Sequence, residues 1–392
     1  MLGNHKLILD THAEVYRELL PWADGEWWNL DDHEIVPGAI YVFCRESVNQ
    51  WGERIKQLAR NGTVKVVLDN AAEGSETMVN WVAIKDVADL IQEKKILLIG
   101  GGEMSPDWHY LCYEYFLPKI LDFDENVETA SRSDEIFTRK NKPYKFLFLN
   151  GRMRNHRKYL LERFRLSGLL DQCLWTSLDT SLGLVRKPSQ GRWFQYDLHL
   201  TLEHKGENLM ERPNGVHYLP AQYEAAPHRA QIGIQPTEHQ PGTKWQLFNQ
   251  TWGDAIIDGE AYRDTYFSLV TETVFNYPYS FRTEKIWKPI AVGHPFIAVA
   301  NCGFYKDLHR MGFKTFGHVI DETFDSIDNN QDRIERIHDV VADLCQQDLD
   351  SFLAECYNVC KYNQEHYAEY RHRVPRELPE QFRQFIDRYF HE

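Results

Sequence analysis

Two short stretches of the chain concentrate cations at places where an anion would be welcome. In NGRMRNHRK (150–158), a buried apolar run ends at Asn150, and a helical pattern then carries Arg152, Arg154, Arg157 and Lys158. The free N–H groups and dipole of a helix start favour an anion, and the carboxyl end of a strand is where open α/β sheets bind ligands. Added arginine and lysine suit a diphosphate there. A solvated basic helix face is the competing reading, and it fits Arg163 and Arg165 further along. In TETVFNYPYSFRTEKIWK (271–288), a strand ends near Thr271-Glu272 and a helix starts around Thr283 or Glu284. Lys285 and Lys288 are three apart and share a face, and Thr283 suits an N-cap. Cations in a first helical turn oppose the dipole, so their placement costs stability unless an anion is present. Glu284 suits the dipole and could accept hydrogen bonds from ribose hydroxyls. A surface helix of mixed charge is the alternative.

The elements that must position these residues alternate. KLILD (6–10), AIYVFC (39–44), VKVVLD (64–69) and ILLIG (96–100) read as buried strands, with helical patterns at 47–60 and 76–93 between them. The spacing predicts a further helix over 107–120 and a charged linker over 122–144. A second series follows: KFLFLN (145–150), a basic helix over 155–168, QCLWTS (172–177), YFSLVTE (266–272), a helix over 284–293 and PFIAVA (295–300). Strand and helix in alternation imply βαβ units and parallel sheets. Residues 180–250 break the rhythm, with one alternating strand in RWFQYDLHLTLE, and beyond 330 the pattern is helical, with a last short helix at 378–390. The resulting division is an α/β domain over 1–140, a second over 141–350 with an irregular insertion near 180–250, and a helical tail over 351–392 that packs back on the first domain.

Composition narrows the partners. The chain has 392 residues with 44 Lys+Arg against 58 Asp+Glu, a net charge of −14. Coating duplex DNA needs many cationic phosphate contacts, which this balance disfavours. Seven cysteines are scattered without a CxxC pair, and Cys356 and Cys360 have no second ligand pair nearby, so buried thiols in a reducing compartment are expected rather than zinc. No run of about 18 apolar residues and no signal peptide is apparent, so a soluble, cytoplasmic protein without a membrane span is the expectation.

TETVFNYPYSFRTEKIWKPIAVGHPFIAV resembles the donor-binding motif of the α-1,3-fucosyltransferase family and its relatives: a Glu-containing strand end, an aromatic-rich loop, a Thr-Glu-Lys helix start, then Gly-x-Pro and another strand. NGRMRNHRKYLLERFRLSGLLD resembles the same family's earlier block. The resemblance implies GT-B architecture, two Rossmann-like domains with parallel sheets facing across a cleft. The C-terminal domain would hold a nucleotide-diphosphate sugar as co-substrate, with no cofactor or metal required. Arg157 and Lys285 would hold the diphosphate and Glu284 the ribose. Glu272 and Tyr279 would line the sugar or nucleotide side, and Asn150, Arg152, Thr283 and Lys288 complete the donor set. Trp287 and Lys288-Pro289 depart from the small apolar residues usual in that motif, and the first 140 residues carry no matching motif. The sugar and base therefore stay open.

The chemistry of such a transfer agrees with the two cationic stretches. A departing diphosphate needs its charge stabilised, by a divalent ion or by cations and helix N-termini. An inverting transfer to a hydroxyl of a glycan or similar acceptor also needs a general base, usually a carboxylate. VKVVLDNAAEGSET places Asp69, Glu73 and Glu76 just past a buried strand, and Glu73 is chosen because Asp69 suits the strand end and Glu76 the next helix. Glu103 and His109 beside a triple glycine, and Asp10 with His12, are further candidates. The Asp122–Asp124 pair, the Asp197, His199 and His204 strand face, and Asp321, Glu322 and Asp325 before a helix read as ordinary linker, strand and helix-start residues. Two alternatives remain: a non-catalytic nucleotide-sugar or anion-binding protein, and a glycosyltransferase acting on hydroxymethylated bases in DNA.

Overall fold

A computed structural model describes residues 5–74, 87–152, 154–178, 257 and 259–390. The expected insertion near 180–250 and its strand, Glu76, and most of the helix expected over 76–93 lie outside the described residues. The chain divides into two compact units: 1–118 with 279–282 and 369–392, and 119–278 with 283–368.

The first unit runs β1 (Leu7–Asp10), α1 (Tyr16–Leu19), β2 (Gly25–Trp27), β3 (Ile40–Cys44), α2 (Arg45–Asn61), β4 (Lys65–Asn70), α3 (Ala88–Gln92), β5 (Ile96–Gly100) and β6 (Tyr110–Cys112). Its six described strands are parallel, in the order β2-β1-β3-β4-β5-β6. The central strands read as unbroken apolar runs because both faces are covered, the usual state of a parallel sheet. Tyr41, Phe43, Val66, Leu68 and Leu98 pack with Val48, Ile55 and Ala59, so α2 lies on that face of the sheet. Gly62, at φ +63°, ends α2 in the left-handed conformation that glycine adopts without strain.

The second unit contains α4 (Asp124–Ser131), α5 (Asp134–Thr138), β7 (Phe146–Arg152), α6 (Asn155–Ser167), β8 (Cys173–Leu178), α7 (Gly259–Arg263), β9 (Phe267–Thr271), α8 (Glu284–Val292), β10 (Phe296–Val299), α9 (Phe304–Arg310), α10 (Asn330–Leu344) and the first part of α11 (Leu349–Phe390). Its described strands form a parallel sheet in the order β10-β9-β7-β8. Phe146, Phe148, Phe164 and Phe267 meet ring to ring in its core.

Three elements differ from expectation. Residues 107–120 form an edge strand and turns instead of a helix, because β6 completes the ladder that β5 leaves open. The charged segment 122–144 holds α4 and α5: buried Asn126 donates to Ile120 O (2.5 Å) and accepts from Ile257 N (2.7 Å), and Asp122, Asp124, Glu128 and Asp134 are exposed. The last short helix is continuous with α11 through Pro375 and Pro379, although each proline removes a backbone donor. Buried Leu378, Phe382 and Ile386 hold it in place.

Candidate functional site

In the second unit β7 is followed by β8 on one side and joined by β9 on the other. The strand order therefore reverses between β7 and β9, and such a reversal leaves a ligand crevice at the carboxyl ends of the strands. Most of the expected donor residues assemble here. Asn150, buried near the end of β7, accepts a hydrogen bond from Thr271 Oγ1 (2.8 Å) at the end of β9. Arg157, in the first turns of α6 and only 2% exposed, donates through Nη2 to Thr271 O (2.8 Å) and Glu272 O (3.2 Å). Its guanidinium thus satisfies the strand's last carbonyls. Arg152 is the last residue of β7, where the register against β8 shifts.

Glu272 is fully buried and ties the two ends of the aromatic loop together. One carboxylate oxygen accepts from Thr283 N (3.1 Å), and the other accepts from Thr283 Oγ1 (2.7 Å) and Thr273 N (3.1 Å). Burial raises its proton affinity above the usual carboxylate range, and Lys285 and the Thr283 hydrogen bonds oppose that shift. Thr283 is the N-cap of α8, as its type and place foretold, with extended backbone and its hydroxyl facing Lys285 N. Lys285 Nζ reaches Thr283 Oγ1 (3.2 Å) and pairs with Glu284, while a quarter of its side chain stays exposed. Burial alone would raise the Glu284 carboxyl, but Lys285 and then Lys288 outweigh it and hold it below the usual range. Glu284 is therefore an ion-pair partner inside the protein.

Support for this edge comes from two residues the sequence reading passed over. His156, next to Arg157, hydrogen-bonds Glu272 O through Nε2 (3.0 Å) and stacks on Phe275 at 5.2 Å. Burial, followed by Arg157 and Arg154, keeps it neutral far below the ordinary histidine range. Arg333, 2% exposed in the first turns of α10, lies 4.4 Å from the centre of the same Phe275 ring. The signal for Arg333 was the one that drew attention to Lys285, a cation where the helix dipole disfavours it.

Glu73 and Tyr279 belong to the first unit. Glu73 lies just past β4 and is paired with Arg45 at 2.5 Å. Tyr279 is half-buried. At the reversal of strand order between β1 and β3, Asp10 is fully buried and accepts from Cys44 N (3.0 Å), His12 N (3.0 Å) and Ser47 Oγ. Asp69, near the end of β4, accepts from Val15 N (2.9 Å) and Ala71 N (3.0 Å) and shares a hydrogen bond with the Glu14 carboxyl. Burial lifts the Asp69 carboxyl to about 6, and burial together with the Asp69 charge lifts Glu14 well above the usual range. Close by, Glu18 accepts from Tyr113 OH (3.0 Å).

The triple glycine at 100–102, beside the candidates Glu103 and His109, is approached closely by the protein's own chain. Glu103 N donates to Ser280 O (2.9 Å), Gly102 bridges Phe281, and a Cβ on Gly74 or Gly101 would meet the Phe281 ring at 2.8 or 2.7 Å. Arg282 then pairs with Glu114, both buried. Among the remaining sequence candidates, Glu322 closes a turn through Thr315 Oγ1 and Phe316 N, with burial raising it to about 7. All seven cysteines are free thiols.

Among the described residues no group of three or more His, Cys, Asp or Glu side chains is placed to hold a metal ion, and no helix is long and apolar enough to cross a membrane. Comparison with protein-family models, with curated proteins and with solved structures gave no match.

Proposed function

We propose that the protein is a glycosyltransferase that moves a sugar from a nucleotide-diphosphate donor to a hydroxyl, with the donor taken at the β7–β9 edge of the second unit. The observation that supports this most is the convergence there of Asn150, Arg157, Glu272, Thr283 and Lys285 on one hydrogen-bonded frame. The GT-B arrangement implied by the motif resemblance, and the absence of a metal requirement, belong to this reading. The geometry divides the roles differently from the residue types alone. Arg157 and Glu272 are engaged with backbone and with Thr283, so they fix the frame. Lys285, Lys288 and the start of α8 carry the positive potential that a diphosphate meets.

In the reaction the acceptor oxygen attacks the anomeric carbon, the bond from that carbon to the diphosphate oxygen breaks, and its electron pair leaves with the diphosphate. A carboxylate takes the hydroxyl proton. The first unit offers two carboxyl sets for this at its strand ends. Glu73 is held by Arg45, whereas the half-buried Glu14 and its partner Asp69 have raised proton affinity. The second set is the better match for a base working near neutral pH.

A thermal-shift screen against GDP-, UDP- and CMP-sugars, followed by a transfer assay with the donor that stabilises the fold, tests the reading. One donor class should raise the melting midpoint and be turned over with an added glycan acceptor. A donor that binds without being consumed would point to a binding protein, and no shift with any donor would end the proposal.

A further inference from the structure

Arg333 is a buried cation of the second unit with a partner for each of its donors, and its partners say what it is for. A guanidinium carries five N–H donors in a fixed fork. Nε donates to Ala300 O (3.2 Å), Nη1 to Ile327 O (2.7 Å) and Asp328 O (3.1 Å), and Nη2 to Phe275 O (2.6 Å) and Asn330 Oδ1 (2.5 Å). Five oxygens therefore meet five donors, and none of them belongs to a carboxylate. Two of the carbonyls come from the segments that leave β9 and β10 at their carboxyl ends, and two come from the segment that leads into α10.

From this geometry we infer that Arg333 is the positioning residue of the anion edge, fixing the backbone from which the Glu272–Thr283 frame is hung. The linkage is short. Arg333 holds the carbonyl and ring of Phe275; three residues earlier Glu272 grips both Thr283 N and Thr283 Oγ1; Thr283 caps α8 and contacts Lys285 Nζ. His156 touches the same Phe275 ring and the Glu272 carbonyl, so the loop is fixed from α6 as well as from α10. The guanidinium makes no direct ion pair among the described residues, and the nearby carboxylates Asp325 and Asp328 offset only part of the burial that opposes its charge. An anionic ligand would lessen the cost of that charge.

This inference rests on reading the edge as a diphosphate site, and the test separates the two. Inorganic pyrophosphate, GDP and UDP are titrated by calorimetry into the wild-type protein and into Arg333→Lys, which keeps the charge and loses the fork. Far-UV circular dichroism and the folded fraction are measured alongside. The expected result is at least a tenfold weaker dissociation constant for whichever probe binds wild type, at an unchanged folded fraction. In turnover the donor KM should rise while the acceptor KM stays put. A residue that merely supports the fold would lower the amount of competent protein, and so kcat, leaving the affinity of the folded fraction as it was. Equal affinity in wild type and Arg333→Lys overturns the inference while the diphosphate reading stands, and no binding of any probe to wild type overturns both. Should Arg333→Lys fail to fold, Phe275→Leu retains the carbonyl and removes the ring contacts. Weaker probe binding in that variant supports the inference, and wild-type affinity refutes it.

Discussion

The carboxyl ends of the two parallel sheets are finished with opposite charges for the same structural reason. In the second unit the strand ends leave carbonyls to be satisfied, and cations do it: Arg157 for Thr271 and Glu272, Arg333 for Phe275 and Ala300. In the first unit the segments leaving the strands present N–H groups, and carboxylates accept them: Asp10 from Cys44 and His12, Asp69 from Val15 and Ala71. Both solutions bury charge, and at the second edge the buried Glu272 carboxylate, which accepts from Thr273 N and Thr283 N, stands among the cations. On the proposed reading the four-stranded sheet ends where an anion gains and the six-stranded sheet where the Glu14–Asp69 pair takes up a proton, so the groups that satisfy the backbone would also prepare each edge for its ligand.

The sharpest way to separate the two edges is turnover after a single carboxyl change in the first unit. With Glu14→Gln, kcat should fall by about 10²- to 10⁴-fold, the usual range for losing a general base, while donor affinity stays at the wild-type value. Glu73→Gln should leave kcat within a few-fold, since Arg45 already engages that carboxylate. If Glu73→Gln were the variant that lost turnover, the base assignment would move to Glu73.

In the second unit, Glu272→Gln places an amide N–H against either Thr283 N or Thr273 N, whichever way it turns. An unsatisfied buried donor costs about 1–3 kcal/mol. Donor affinity by calorimetry should drop by about tenfold to hundredfold, and the melting midpoint should fall with it. Lys285→Ala is milder. The side chain is partly exposed and Lys288 remains beside Glu284, so about a tenfold loss of nucleoside-diphosphate affinity is expected with little change in midpoint. Unchanged affinity in Lys285→Ala would remove that lysine from the site.

The smallest expected effect is on stability. The folded state raises the Asp69 carboxyl, so it holds a proton that the unfolded chain has already lost. The associated stability is present below about pH 4 and is lost as pH rises through about 6. Glu14 is shifted in the same direction. Buried neutral His156 acts in the opposite sense, so the pair is read from the difference between variants: the midpoint of wild type minus that of Glu14→Gln should decline over that interval. A difference that stays constant or rises from pH 4 to 7 would contradict the burial of the pair.

The strands β1, β3, β4, β5 and β7 to β10 and the helix that begins at Glu284 were legible because apolar runs and a threonine cap are local signals, whereas the short edge strands β2 and β6 carry no such run. Lys285 was legible because it breaks a local rule. Roles that depend on which backbone group lies opposite were not. Arg157 and Glu272 have the residue types of ligand contacts, yet their partners are carbonyls and amides brought near by the sheet. Phe281 filling the space beside Gly74 and Gly101 is likewise a long-range event that spacing cannot encode. Asp69 suited a strand end on sequence grounds, and only its burial beside Glu14 gives it titration behaviour worth noting.

Hydrogen–deuterium exchange with and without saturating GDP or UDP tests the central contrast most directly, because it reports on both edges in one experiment. Slower exchange is expected across 271–275 and 283–288, with 10–18 and 69–73 unchanged. Protection confined to 10–18 and 69–73, with 271–288 unaffected, would contradict the account.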